Sequence, residues 1–264
     1  MKSKIAEAIR MRYSPVALLW TDEKLEQALQ FKEGHRGCVI SLLCNAAKGR
    51  VSVADRRTFG CTGGGVGLGF GKQYASFPGG IEYYISTGNP EFCSTEVGRK
   101  IAETMPELMD GERYVESPEL AKRFLDALPI IDVPTRYVVL KPLELVSENH
   151  EPKVVIFLVN PDQLSALTVL ANYGREPNIN VVAPFGAGCH QIGILPYREA
   201  ESDEPKAIIG LTDLSARKNM MGMVDRDILS FAVPFKMFRE MEGNVDGSFL
   251  RKKTWAAVIG EGQR

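Results

Sequence analysis

The stretch Val154-Val-Ile-Phe-Leu-Val159, followed by Asn160-Pro-Asp162, decides the fold. Six consecutive apolar residues predict a buried strand. The asparagine after them is a favoured N-cap residue, and proline fits the first position of a helix. Leu164, Leu167 and Leu170 then recur at helical spacing. This unit of a buried strand and a capped helix predicts a fold of the α+β or α/β class.

The first half of the chain repeats this plan. Pro15-Val-Ala-Leu-Leu-Trp20 predicts another strand, and Thr21-Asp22 follows as a cap. Leu25, Ala28 and Leu29 then lie at the spacing of a helix. The two halves therefore start with the same predicted order of elements.

Two more pairs of segments follow the same order in both halves. In the first pair, Cys38–Leu43 matches Asn180–Ala183. In the second pair, the predicted strand Ile81–Ser86 is followed by a helix at Thr95–Met105, and its match, the predicted strand Asp227–Val233, is followed by a helix through Met241. We therefore predict an internal duplication, in which two related strand–helix halves pack around mixed sheets.

The predicted organisation has five parts. They are an N-terminal helix at 1–13, a first half at 14–110, a connecting helix and strand at 111–151, a second half at 152–243 and a tail at 244–264. In the connection, Ser117 and Pro118 predict the start of a helix that runs to about Leu128. Arg136–Leu140 predicts a strand that lies at a sheet edge or bulges at Pro142, because proline lacks the N–H that a central strand needs.

Charge and hydropathy exclude several classes of function. The 32 basic and 33 acidic residues give a net charge of −1, which argues against an extended surface for nucleic acid. The chain has no run of 18 apolar residues, so we expect no membrane span. The N-terminus lacks the apolar core of a signal peptide, and we expect a cytoplasmic protein. Its five cysteines are then reduced thiols, metal ligands or redox groups.

The segment Gly60–Gly71 contains seven glycines among twelve residues. It fits neither the dinucleotide fingerprint nor the Walker A motif, so no motif supports NAD or ATP. Successive N–H groups at Gly63, Gly64, Gly65 and Gly67 are the predicted binding groups of a glycine-rich loop that surrounds an anion or a sulfide. A glycine-rich hairpin or a close backbone crossing without a ligand is the alternative.

The cysteines suggest a metal site. Cys38, Cys44 and Cys61 fall in one short stretch, and Cys189 or His190 is a further candidate ligand. Three close thiols and a fourth ligand suit zinc or an iron–sulfur cluster. The chain has no Cys-x-x-Cys pair, however, and free cysteines are often simply buried. Both interpretations stay open at this point.

Asp213 and Arg217 follow an apolar strand and form the last candidate pair. An arginine offers a fork of donors that suits a carboxylate or a phosphate. The two side chains either form an ion pair with each other or bind a polar or anionic group between the two halves.

Four segments together resemble a known family. They are Cys61-Thr-Gly-Gly-Gly-Val-Gly-Leu-Gly69, Tyr137-Val-Val-Leu-Lys-Pro-Leu143, Gly188-Cys189 and Gly210-Leu-Thr-Asp-Leu-Ser-Ala-Arg217. The chain resembles the DUF169 family of bacteria and archaea. The resemblance implies a cytoplasmic protein that is frequent in anaerobes, a setting that favours oxygen-sensitive chemistry such as an iron–sulfur site. It carries over no catalytic residues.

These observations favour a protein that binds a cofactor, a metal or an iron–sulfur cluster at a cleft rich in cysteine and glycine, with a redox role open. Two alternatives remain: a metal-free module that binds a small anionic ligand, and a structural subunit of a larger assembly. The expected partner is a small molecule or a cofactor, with neither nucleic acid nor membrane. Whether the protein is an enzyme or a homo-oligomer stays open.

Overall fold

A computed structural model describes residues 1–176 and 178–260. The described strands form one seven-stranded mixed sheet in the order β2-β3-β1-β4-β7-β6-β5. The strands are β1 (Val16–Thr21), β2 (Ser52–Asp55), β3 (Tyr137–Pro142), β4 (Val154–Val159), β5 (Val181–Val182), β6 (Ala207–Gly210) and β7 (Leu229–Pro234). Neighbouring strands are antiparallel except β5 and β6, which are parallel. The predicted mixed fold of strands and helices is confirmed.

Short helices connect the strands. They are α1 (Lys4–Ala8), α2 (Val39–Ala47), α3 (Thr62–Leu68), α4 (Ile81–Tyr84), α5 (Pro90–Ser94), α6 (Glu96–Ala102), α7 (Glu107–Asp110), α8 (Pro118–Asp126), α9 (Pro161–Asn172), α10 (Gly188–Ile192), α11 (Ile194–Ala200), α12 (Leu214–Met220), α13 (Phe235–Asn244) and α14 (Lys253–Val258). Three 3₁₀ turns lie at Gln73–Ser76, Leu143–Leu145 and Phe249–Arg251.

Strand β4 and helix α9 form as the sequence predicts. Every residue of β4 is buried, and the strand lies between β1 and β7 in the middle of the sheet. Asn160 caps α9 through a reciprocal pair of hydrogen bonds with Gln163, in which each side chain accepts the other residue's main-chain N–H. The Gln163 amide also donates to the carbonyl oxygens of Ile9 and Arg10, so the same cap ties the N-terminal segment to the sheet.

The strand order is symmetric about the central pair β1 and β4. On one side β3 and then β2 follow β1, and on the other side β7 and then β6 follow β4. In chain order one set is β1, β2 and β3, and the other is β4, β6 and β7. The first, second and third members of each set lie at the same distance from the centre of the sheet as their counterparts. A seven-residue helix follows each of the corresponding strands β2 and β6, namely α3 after β2 and α12 after β6. The duplication itself stays a prediction.

Several of the predicted elements are wrong. The residues after Thr21 form turns and an isolated bridge at Leu29 instead of a helix. Ile81–Ser86, predicted as a strand, contains α4, and Cys38–Leu43 lies mostly in α2, whereas its proposed match contains β5. Strand β3 is internal, between β1 and β2, because Pro142 stands at its last position.

The segment from Gly71 to Ile130 forms a compact unit of its own. Its regular elements are α4 to α8 and a 3₁₀ turn, so Ile81–Ser86 has no strand beside it with which to pair. Rings of Phe77 and Tyr84 contact each other there, and Cys93 and Leu108 are buried. Helix α8 begins at Pro118 behind the Ser117 cap, as predicted.

The other unit consists of residues 1–70 and the chain from 131 onward, and it contains the whole sheet. Its tail docks through Trp255, which is buried and donates its indole N–H to the Ala8 carbonyl at 2.9 Å. No described helix has both the length and the apolar character needed to traverse a lipid bilayer.

The buried side chains at the centre of the sheet should contribute most to the free energy of unfolding. Phe157 on β4 is fully buried, and Phe157→Ala should lower the free energy of unfolding by about 3–5 kcal/mol through lost burial and a cavity. Val169 on α9 is 53% exposed, so Val169→Ala should change it by less than about 0.5 kcal/mol. Urea unfolding followed by circular dichroism measures both. Equal effects of the two substitutions would contradict this assignment of the core.

Candidate functional site

Most of the glycine-rich segment folds as helix α3 instead of a loop. Cys61 is its N-cap, and the Cys61 Sγ accepts the N–H of Gly64 at 3.3 Å. The N–H of Gly65 is already bonded to the Cys61 carbonyl, so Gly65 and Gly67 lie within the helix. Gly69 ends α3 with φ 91°, a left-handed conformation that favours glycine. Only the first turn of α3 therefore presents N–H groups near the cysteine.

Helices α3 and α10 meet backbone to backbone. A Cβ atom at position 67 would lie 2.5 Å from the carbonyl carbon of Cys189, and one at position 193 would lie 2.0 Å from the Gly67 oxygen. The Cys189 thiol donates to the Gly63 carbonyl oxygen at 2.9 Å. Glycine is required at Gly67 and Gly193 because any larger residue would separate the two helices.

Cys38 and Cys61 begin their helices side by side. Cys38 is the N-cap of α2 and makes no side-chain capping bond. A Cβ atom at Gly60 would lie 2.4 Å from the carbonyl oxygen of Gly37, so the residues just before the two cysteines are in contact. A Cβ atom at Gly64 would lie 2.7 Å from the side chain of Val39, the first residue of α2.

Asp213 brings a fourth helix to the same place. As the N-cap of α12, it accepts the N–H of Ser215 on Oδ1 at 2.8 Å. Its Oδ2 accepts the N–H of Gly188, the first residue of α10, at 3.0 Å. A Cβ atom at Gly188 would lie 2.9 Å from the Ala216 Cβ and 3.2 Å from Ile40 on α2. The starts of α2, α3, α10 and α12 therefore converge.

The thiols of Cys38, Cys61 and Cys189 and the carboxylate of Asp213 interact electrostatically, and we call them the thiol–carboxylate cluster. Burial raises the pKa of Cys38 to about 11, and Cys61, Asp213 and Cys44 act in the same direction. Burial raises the pKa of Cys189 well above its usual range, with the two other thiols and Asp213 contributing. At neutral pH these two side chains are thus neutral thiols.

Cys61 differs from the other two cysteines because it reaches solvent. Neighbouring atoms still crowd its sulfur, and this desolvation raises the Cys61 pKa. Hydrogen bonds from the N–H groups of Gly64 and Gly63 oppose the rise, as does the positive charge of Arg36, while Asp213 adds to it. Backbone donors and a cation therefore favour negative charge on this sulfur more than on Cys38 or Cys189.

The remaining predicted residues lie outside the cluster. Cys44 is fully buried in the core of α2, where burial raises its pKa to about 11. His190 is buried beside Cys189, and burial lowers its pKa to about 4. Arg217 donates to the carbonyl oxygens of Leu211 and Ile228, so it anchors the main chain around α12.

The described side chains do not form a compact site for one ion. Among residues 1–176 and 178–260, no three His, Cys, Asp or Glu side chains are placed to hold a single metal ion. Of the predicted set, Cys38 lies near enough to both Cys44 and Cys61 to feel their charge, and Cys189 feels the charge of Cys38 and Cys61.

One sequence signal marks the three cysteines of the cluster. Each follows a glycine, in Gly37-Cys38, Gly60-Cys61 and Gly188-Cys189, whereas leucine precedes Cys44 and phenylalanine precedes Cys93. In the structure these glycines are the points of close approach between the helix starts. The Gly-Cys dipeptide would therefore have separated the clustered cysteines from the packed ones.

Comparison with known proteins identifies the family. The model of DUF169, whose description is "Uncharacterised ArCR", matches residues 4–244. The chain therefore belongs to the DUF169 family. Neither the search of curated proteins nor the search of solved structures found a match.

The contact between α3 and α10 predicts a strong position effect for glycine. Gly67→Ala places a methyl group against the Cys189 backbone and should lower the free energy of unfolding by about 1–3 kcal/mol. The matched control is Gly243→Ala in α13, where no atom lies within 4 Å of the added Cβ. There alanine should stabilise the helix by up to about 1 kcal/mol. Chemical unfolding measures both, and a Gly67→Ala protein as stable as the control would contradict the close contact.

Proposed function

We propose that this DUF169 protein binds an iron–sulfur cluster through Cys38, Cys61 and Cys189. The observation that carries the proposal is the convergence of three glycine-preceded thiols, from separate parts of the chain, at the starts of three helices. Cysteine thiolates are the usual protein ligands of such clusters. Asp213 lies among the same thiols.

The described side chains do not suit a single zinc ion. One zinc ion binds sulfur at about 2.3 Å, so its ligand sulfurs must lie within about 4 Å of one another. The described residues contain no such compact group. In a cluster of four irons each cysteine binds its own iron, so the ligand sulfurs stand farther apart than those of a single ion.

The surrounding backbone suits an anionic cluster. The N–H of Gly64 already donates to the Cys61 sulfur at 3.3 Å. Hydrogen bonds of this kind stabilise negative charge on sulfur and tune the reduction potential of a cluster. Cys61 reaches solvent, which gives electrons a path to and from the cluster and supports a redox role.

The proposal also gives a reason for a cytoplasmic location. The five cysteines of the described structure are free thiols. A reducing compartment keeps thiols in this state and available as ligands. The DUF169 family match gives no location of its own, so the inference rests on the thiols.

A metal-free anion site is the second candidate. Its support is the positive charge of Arg36 beside Cys61, together with the N–H groups of Gly63 and Gly64 at the same sulfur. A small anion would use these donors while the thiols stay protonated. This candidate predicts binding that does not depend on the presence of Cys38 or Cys189 as thiols.

Anaerobic reconstitution with iron and sulfide tests the main proposal. The wild-type chain should take up both and gain visible absorbance. Cys38→Ser, Cys61→Ser and Cys189→Ser should each lose most of the iron and sulfide, because each removes a ligand. Measurement is by iron and acid-labile sulfide analysis with an absorption spectrum.

Two matched controls use the packed cysteines. Cys44→Ser and Cys93→Ser remove buried thiols outside the cluster and should leave the iron content per folded chain unchanged. Circular dichroism shows whether each variant is folded. Iron uptake that is absent from wild type, or equally reduced by Cys44→Ser, would overturn the assignment.

A further inference from the structure

A cavity of about 270 Å³ lies beside α12, and none of its lining residues belongs to the thiol–carboxylate cluster. One wall is a face of α12 that carries Leu214, Arg217 and Lys218. Met221, directly after the helix, continues this wall. Residues spaced by three, four and seven positions share one side of a helix, which is why these four side chains face the same space. Residues 224–226 form the other wall.

Part of the cavity lining is apolar. Met220 and Val224 are buried there, whereas Leu214 and Met221 are 64% and 62% exposed. Large apolar side chains that are exposed together, with charged residues around them, are typical of binding surfaces. A methionine side chain is flexible and polarisable, so Met221 can adapt its shape to an apolar group that enters the cavity.

The cavity also carries an excess of positive charge. Its lining contains three cationic side chains and one carboxylate, that of Asp225. Arg12 pairs with this carboxylate at 2.6 Å, and the Tyr13 hydroxyl donates to the same oxygen at 3.2 Å. Among residues 1–176 and 178–260, neither Lys218 nor Arg226 forms a salt bridge. These two cations are therefore available to an anionic group.

The third cation, Arg217, joins the two walls. Its guanidinium donates to the Leu211 carbonyl oxygen, just before α12, at 3.3 Å. It also donates to the carbonyl oxygens of Arg226 and Ile228, at the other wall and just after it. The cavity is thus formed before any ligand enters. A preformed cavity that combines apolar side chains with a few polar groups is the usual form of a small-molecule site.

We propose that this cavity binds a small amphipathic carboxylate. The acyl chain lies against Met220, Met221 and Val224, and the carboxylate group lies at Lys218 and Arg226. A water molecule takes about 30 Å³ of the liquid, so the cavity has room for a ligand of roughly ten non-hydrogen atoms, such as octanoate. The site does not depend on the iron–sulfur cluster, since none of the cluster residues lines the cavity.

Titration of the full chain with straight-chain fatty acids tests the chemistry of the ligand. Isothermal titration calorimetry should show one site, with affinity that rises about fourfold per methylene from butanoate to octanoate because each added group is buried. Affinity should level off for chains longer than the cavity. Octan-1-ol should bind more weakly than octanoate, since it offers no charge to the cations. No binding of octanoate, or equal affinity for butanoate and octanoate or for the alcohol and the acid, would overturn the proposal.

Charge-removing variants test the position of the carboxylate group. Lys218→Gln combined with Arg226→Gln should weaken octanoate binding about tenfold, because each exposed cation contributes modestly to an ion pair. The matched control is Lys252→Gln combined with Lys253→Gln, which removes two exposed charges outside the cavity and should leave the affinity unchanged. An equal loss in both double variants would show general charge attraction and would overturn the assigned position.

An apolar pair of variants tests the position of the acyl chain. Met221→Ser should weaken octanoate binding several-fold, whereas Val169→Ser on α9, which also replaces an exposed apolar residue, should not. Circular dichroism shows whether each variant is folded. If octanoate does not bind and wild type instead self-associates in sedimentation while Met221→Ser does not, the surface joins copies of the chain and the proposed ligand site is wrong.

Discussion

The contact between the backbones of α3 and α10 is the constraint on which the site depends. It requires glycine at Gly67 and Gly193, and it brings the Cys189 thiol to the first turn of α3. Glycine within a helix costs about 1 kcal/mol relative to alanine. The glycines of α3 are therefore explained by the approach of a second helix, which no larger residue would permit.

Three further close contacts depend on the same principle. Gly60 meets the Gly37 carbonyl, Gly64 meets Val39, and Gly188 meets Ala216. Together they place the N-caps of α2, α3 and α12 and the start of α10 around one group of thiols. Burial and the Asp213 carboxylate then keep Cys38 and Cys189 protonated when no metal is bound. A cationic centre would deprotonate them, since metal ions bind the thiolate.

Local signals explain how much of the fold is predictable. The apolar run of β4, the Asn160 cap of α9 and the Ser117-Pro118 start of α8 are all found in the structure, because each depends on neighbouring residues. The predicted elements that proved wrong depend on residues that are distant along the chain. Ile81–Ser86 has the composition of a strand, but in its unit helices surround it.

The same distinction applies to the site. The sequence joins Cys38, Cys44 and Cys61 by proximity and makes Cys189 a further candidate, and the structure buries Cys44 in the core of α2. Six residues span about one and two-thirds turns of helix, so Cys44 lies on a different side of α2 from its N-cap. Asp213 was predicted as a binding residue, but its contact with Gly188 joins segments that only the sheet brings together.

Anomalous X-ray diffraction from crystals of anaerobically purified protein tests the central claim most directly. Data collected on either side of the iron absorption edge locate iron without any assumption about the ligands. The account predicts an anomalous peak bounded by the sulfurs of Cys38, Cys61 and Cys189, with the Asp213 carboxylate beside it. Anomalous density at another place in the chain, or no iron in crystals of protein reconstituted with iron and sulfide, would contradict it.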